Sequence, residues 1–91
     1  MLRKWDASEY LDTEEKIIAY LNEAASTGDV ALMEKAIGNV AKAKGMTQIA
    51  KDAGVGRESL YTSLSGEGNP SFRTIVKVLQ SLGGKLVVVP A

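Results

Sequence analysis

The chain contains neither cysteine nor histidine. Thiol nucleophiles, disulfides and the usual transition-metal ligands are thereby removed, and so is the commonest general base. An enzyme built from this sequence would need a pair of carboxylates in a pocket. Asp52 and Glu58 read more simply as charges on helix surfaces, so the expectation is no catalysis, no metal and no cofactor. No apolar run approaches the roughly 20 residues that cross a bilayer. The opening Met1-Leu2-Arg3-Lys4-Trp5-Asp6 lacks the apolar core of a signal peptide. A cytoplasmic protein with no membrane partner is expected. At 91 residues the chain fits one domain, and one this small buries only a modest share of its surface.

The net charge is zero, but the charges are segregated. Residues 1–34 carry eight acids (Asp6, Glu9, Asp12, Glu14, Glu15, Glu23, Asp29, Glu34) against three bases, a net of minus five. Residues 35–91 carry eight bases (Lys35, Lys42, Lys44, Lys51, Arg57, Arg73, Lys77, Lys85) against three acids, a net of plus five. A polyanion should approach the C-terminal part and avoid the N-terminal part, although charges on solvated helix faces can also scatter in this way.

The apolar spacing is helical for most of the length. Asp6 and Glu9 have capping-box spacing, consistent with a short helical turn over Ala7–Leu11. Asp12 or Thr13 can cap a helix running to Ser26, with Ile17, Leu21 and Ala24 inward. Thr27-Gly28 ends it. Asp29 caps the next helix, which runs to Lys44 on a stripe of Met33, Ile37, Val40 and Ala41 and is stopped by Gly45. Shorter elements follow: a helix from Thr47 to Ala53, a second from near Gly56 to Gly66, and a loop over Gly66-Glu67-Gly68-Asn69-Pro70. Ser71 then caps a helix from Phe72 to Leu82, with Phe72, Ile75, Val76 and Leu79 facing in. Lys85–Val89 is β-branched and reads as one strand stopped by Pro90. A lone strand cannot satisfy its own backbone, so it should pair with Leu2–Asp6 or with its copy in a second subunit, unless Leu86 and Val88 fold back on the core. The organisation expected is a single all-α domain over 1–91. It divides into an acidic N-terminal helical extension (1–28), a helical core (29–84) and a C-terminal strand (85–91).

Function is carried by MTQIAKDAGVGRESLYTSLSG, Met46 to Gly66. Thr47 is a good N-cap. Small Ala50 lets a second helix cross closely. Gly54 supplies the positive φ of a tight turn, Val55 plugs the angle, and Leu60 and Leu64 anchor the second helix. This is the layout of a helix-turn-helix, whose second helix lies in the major groove of DNA. With the leucines inward, Arg57, Glu58, Tyr61 and Thr62 face outward. Arg57 can grip guanine O6 and N7, and Glu58 can accept from cytosine N4. Thr62 and the edge of Tyr61 can touch a thymine methyl or a phosphate. Thr47 and Gln48 open the first helix, where N–H groups and the dipole favour phosphate. Asn69, Ser71 and Arg73 can contact the same DNA backbone. Each residue also has a plainer reading. Helix–Gly–helix segments occur in proteins that never touch DNA, Arg57 and Glu58 can be surface charges, Tyr61 can be partly buried, and Asn69 and Ser71 can be loop and cap residues.

TQIAKDAGVGRESLYTSLSGEGNPSFRTIVKVLQSLGGKL resembles the phage-repressor-type helix-turn-helix proteins. Together with WDASEYLDTEEKIIAYLNEA and GDVALMEKAIGNVAKAKGMTQIA, nearly the whole chain looks like the small antidote (antitoxin) proteins of toxin–antitoxin addiction modules. The block GEGNPSF after SLYTSLS is the more specific part. The resemblance implies a five-helix, lambda-repressor-like domain without enzymatic activity. Such a domain forms a homodimer on double-stranded operator DNA and neutralises a small ribonuclease-type toxin of the RelE-like class. It places Gln48, Arg57, Glu58, Tyr61 and Thr62 at DNA-facing positions. Gly56 departs from the family's usual serine, Thr62 from a common lysine and Ser63 from a common alanine.

Two units related by a two-fold axis would read a pseudo-palindrome with half-sites roughly 34–36 Å apart. A basic toxin would suit the acidic helix over Asp12–Glu23. A stand-alone regulator of prophage type, and a protein-interaction domain that has lost DNA binding, are the alternatives that the same residues leave open.

Overall fold

The computed structural model describes residues 11–91, and among these it contains five helices and no strand. They are α1 (Glu14–Ser26), α2 (Val30–Lys44), α3 (Met46–Ala53), α4 (Arg57–Ser63) and α5 (Phe72–Ser81). The expected turn at Ala7–Leu11 falls almost wholly outside the described residues, as do Trp5 and the candidate strand partner Leu2–Asp6.

Capping chemistry sets the helix ends. Thr13, not Asp12, caps α1, its hydroxyl accepting from the Lys16 N–H at 3.2 Å. Asp12 instead pairs with the Lys16 ammonium at 3.1 Å, and that hydrogen-bonded cation holds its carboxyl below the usual carboxylate range. The Asp29 carboxylate accepts from the Leu32 N–H at 3.1 Å to start α2. The α2–α3 junction is a single residue. Gly45, at φ 114°, donates its N–H to the Ala41 carbonyl and also serves as the N-cap of α3 without a side-chain bond. Thr47 is therefore not the cap but the second residue of α3, exposed to solvent.

The core gathers Ile17 and Leu21 from α1, Ile37 and Val40 from α2, Ile49 from α3, and Leu60 and Leu64 from α4 and its end. Val78, Leu79 and Leu82 close it. Helix α1 packs on α2, and α3 lies between α2, α4 and α5. Gly38, in the middle of α2, would be replaced by alanine on propensity alone. A Cβ there would stand 2.8 Å from the Leu64 carbonyl oxygen, so α2 passes close against the end of α4 and only glycine fits.

Two expectations are corrected. Phe72 is 74% exposed, because the first residue of α5 projects past the edge of the core, whereas Val78 is fully buried. Among the described residues, 85–91 form no strand; the segment lies against helices α1 and α5, whose backbone groups are spent within the helices, and the candidate partner Leu2–Asp6 is outside the described residues. Nor does Val88 fold back; it is 98% exposed. Leu86, Val87 and Val89 line a groove with Ile18, Ala25 and Leu79 of α1 and α5. No helix among the described residues is long and apolar enough to cross a membrane.

Candidate nucleic-acid interface

Helix α3 ends at Gly54, whose backbone is left-handed at φ 72° and whose N–H returns to the Lys51 carbonyl. An L-residue held in this conformation would bear about 1–2 kcal/mol of strain. Val55 donates its N–H to the Ala50 carbonyl at 3.0 Å and packs half-buried against the core. Gly56 is extended and opens α4. The turn is thus three residues long, and α4 is seven.

Leu60 and Leu64, four residues apart, are both buried, which fixes the rotation of α4. Arg57, Glu58, Tyr61 and Thr62 are consequently exposed, as their spacing predicts, with Tyr61 half-exposed. Arg57, Glu58 and Tyr61 line one open cleft with Lys42 and Met46. The chemistry available there is a guanidinium fork, one carboxylate acceptor, a phenol and an ammonium, which are the groups that address base edges and phosphates. Gly56, where the resembled family has serine, gives no side-chain acceptor to the first N–H groups of α4.

The remaining candidates do not line this cleft. Thr47 and Gln48 lie exposed on α3. The Gln48 side-chain amide donates to Asp52 Oδ1 at 2.9 Å, and Asp52 Oδ2 accepts from the Ser81 hydroxyl at 2.8 Å. Asp52 is thus engaged with α3 and α5 on the surface, as expected of a structural charge. Ser71 caps α5, accepting from the Thr74 N–H at 3.1 Å while donating to Thr74 Oγ1 at 2.9 Å. Arg73 is exposed in the first turn of α5, and Asn69 is exposed in the preceding loop. That loop is seated on α4: a Cβ on Gly68 would stand 2.5 Å from Ser63 Cα and closer still to the Thr62 carbonyl oxygen.

Lys42 is a residue that sequence reasoning missed. Its ammonium sits 4.6 Å from the centroid of the Tyr61 ring. Only the enrichment of bases after residue 34 hints at it, since the contact joins two separate helices. Among the described residues no side-chain charge or polar group is buried, and no cluster of acids could hold a metal.

Residues 1–90 match the family model described as "Probable addiction module antidote protein". An uncharacterized protein of Haemophilus influenzae is 47% identical over 81 residues, covering 89% of this chain and 84% of the relative. No solved structure matches the chain.

Proposed function

Because the chain belongs to the family of "Probable addiction module antidote" proteins, we propose that it is the antitoxin of a toxin–antitoxin module that also represses its own operon. In this reading it is a cytoplasmic homodimer of phage-repressor-type helix-turn-helix units that acts by binding, without catalysis. It binds a pseudo-palindromic operator through α4, and it neutralises a small basic ribonuclease-type toxin of the RelE-like class. The observation that carries the DNA half is the exposure of Arg57, Glu58, Tyr61 and Thr62 on a helix locked by Leu60 and Leu64 behind a glycine turn.

The test is fluorescence anisotropy on the duplex immediately upstream of the gene, against a random duplex of equal length. The protein should prefer the upstream duplex and weaken steeply with salt, because phosphate contacts release counterions. Arg57→Ala should lose roughly 10- to 100-fold of affinity for the upstream duplex, the worth of one bidentate base contact of about 1–3 kcal/mol, and little on the random one. Equal loss on both duplexes would remove Arg57 from base reading.

For the toxin half, α1 presents Glu14, Glu15 and Glu23 to solvent on the side of the chain that carries the excess of acids. Charge complementarity speeds and orients encounter with a basic partner. Reversing both Glu14 and Glu15 to lysine should slow association with the small basic protein encoded next to the gene at least tenfold, measured by surface plasmon resonance at low salt, and leave DNA affinity intact. If that neighbour does not bind the unmodified protein, the stand-alone regulator is the correct reading. If it binds the doubly reversed variant equally fast, the toxin surface lies elsewhere.

A further inference from the structure

The DNA-facing candidates on α3, α4 and α5 all lie at or after Thr47, yet the clefts beside α4 are walled by α2. Lys42, in the last turn of α2, holds its ammonium 4.6 Å from the Tyr61 ring centroid. Seven residues earlier, Lys35 occupies the same helix face, since seven residues make nearly two turns. Lys35 and Lys42 line one cleft together with Asn39, Tyr61 and Ser65, and no carboxylate lines it. The Asn39 amide is already used, donating to the Tyr20 hydroxyl at 3.0 Å. The adjoining cleft shares Lys42 and Tyr61 and adds Arg57 with the single acid Glu58.

Neither lysine hangs freely. A Cβ on Gly66 would fall 2.7 Å from Lys35 Cε and 2.9 Å from its Cγ, so the Lys35 stem lies across the space that Gly66 leaves empty. The Tyr61 ring holds the Lys42 ammonium by a cation–π contact. Two ammonium groups set beside the base-reading face, with no acid in their cleft, suit an anionic backbone better than a protein surface. Along α2 they are separated by roughly 10 Å at 1.5 Å per residue.

We propose that α2 supplies a phosphate-gripping edge to the DNA interface, Lys42 and Lys35 each contacting one phosphodiester of the strand that borders the bases facing α4. The proposal rests on the operator-binding reading. Tyr61 then has a second role: it fixes Lys42 before DNA arrives, so less side-chain freedom is lost on binding.

The test is the salt dependence of anisotropy on the upstream and random duplexes between about 50 and 200 mM salt. Lys42→Gln and Lys35→Gln should each reduce the slope of log affinity against log salt by about one, and the double variant by about two. Both should weaken upstream and random duplexes by the same factor. Lys42→Arg, which keeps the charge and the ring contact, should restore the slope. Lys85→Gln, in the groove against α1 and α5, should leave it unchanged. Unchanged slopes for Lys42→Gln and Lys35→Gln in a protein that binds the upstream duplex would overturn the α2 edge alone. So would a loss that the arginine variant does not rescue. A protein with no preference for the upstream duplex and no salt-sensitive binding would overturn the operator reading instead, and the α2 edge with it.

Discussion

Leu60→Ala is expected to lower the unfolding free energy by about 3–4 kcal/mol, within the range for truncating a fully buried leucine. Leu60 is 0% exposed and belongs to the same core as Ile37, Val40 and Val78. Its loss opens a cavity where α4 meets the rest of the domain. Helix α4 has seven residues, far below the roughly 12–15 that make an isolated helix even marginal. It exists because Leu60 and Leu64 are buried. A small domain commonly holds about 5–15 kcal/mol in total, so one truncation removes a large fraction. At about 4–8 °C per kcal/mol for a domain of this size, the thermal midpoint should fall by roughly 12–30 °C, read by circular dichroism. The neighbour is the internal control: Tyr61 is 53% exposed, and Tyr61→Ala should move the midpoint by only a few degrees. Equal shifts for the two variants would mean that α4 does not turn Leu60 to the core and Tyr61 to solvent.

The contrast between adjacent residues also explains what could be read from the sequence. Helix ends with a side-chain cap were legible because capping is local. Thr13, Asp29 and Ser71 each bond the N–H three residues on. The α2–α3 junction was misplaced because threonine is a good cap, whereas one glycine at φ 114° closes one helix and opens the next. The rotation of α4 was legible because two leucines four apart define a face. The face of α5 was legible at Leu79, wrong at its start, and missed the fully buried Val78, while Ile75 and Val76 are only half-buried. Phe72 precedes Ile75 by three residues and shares its stripe, but a stripe carries no information about where the core ends. Lys85–Val89 has the composition of a strand, yet a strand is defined by its neighbour and none is present among the described residues. The candidate interface divides in the same way. Arg57, Glu58, Tyr61 and Thr62 follow from helix periodicity alone. Lys42 does not, because nothing in its local sequence says that α2 passes beside Tyr61.

Gly68→Ala should cost about 2–3 kcal/mol, near the upper part of the range for overpacking, although the position is in a surface loop and its glycine has no required positive φ. The obstruction is backbone. A Cβ at residue 68 would meet the Thr62 carbonyl oxygen, Ser63 Cα at 2.5 Å and the Ser63 carbonyl oxygen at 2.7 Å, and none of these is the flexible end of a side chain that could swing away. Relief requires either the Gly66–Pro70 loop to lift or the last turn of α4 to move. Gly54 provides the comparison, because there a Cβ has only Lys77 Nζ within 4 Å, at 3.9 Å, and the penalty is conformational strain. Gly54→Ala should therefore destabilise by a smaller amount, near 1–2 kcal/mol. Two residues of the candidate interface, Thr62 and Asn69, flank the Gly68 contact. Gly68→Ala should accordingly weaken binding to the upstream duplex more than its loss of stability explains, when it and the unmodified protein are compared at a temperature where each is fully folded. A Gly68→Ala protein with an unchanged midpoint would show that the loop stands off α4, and the GEGNPSF block would then owe nothing to packing against that helix.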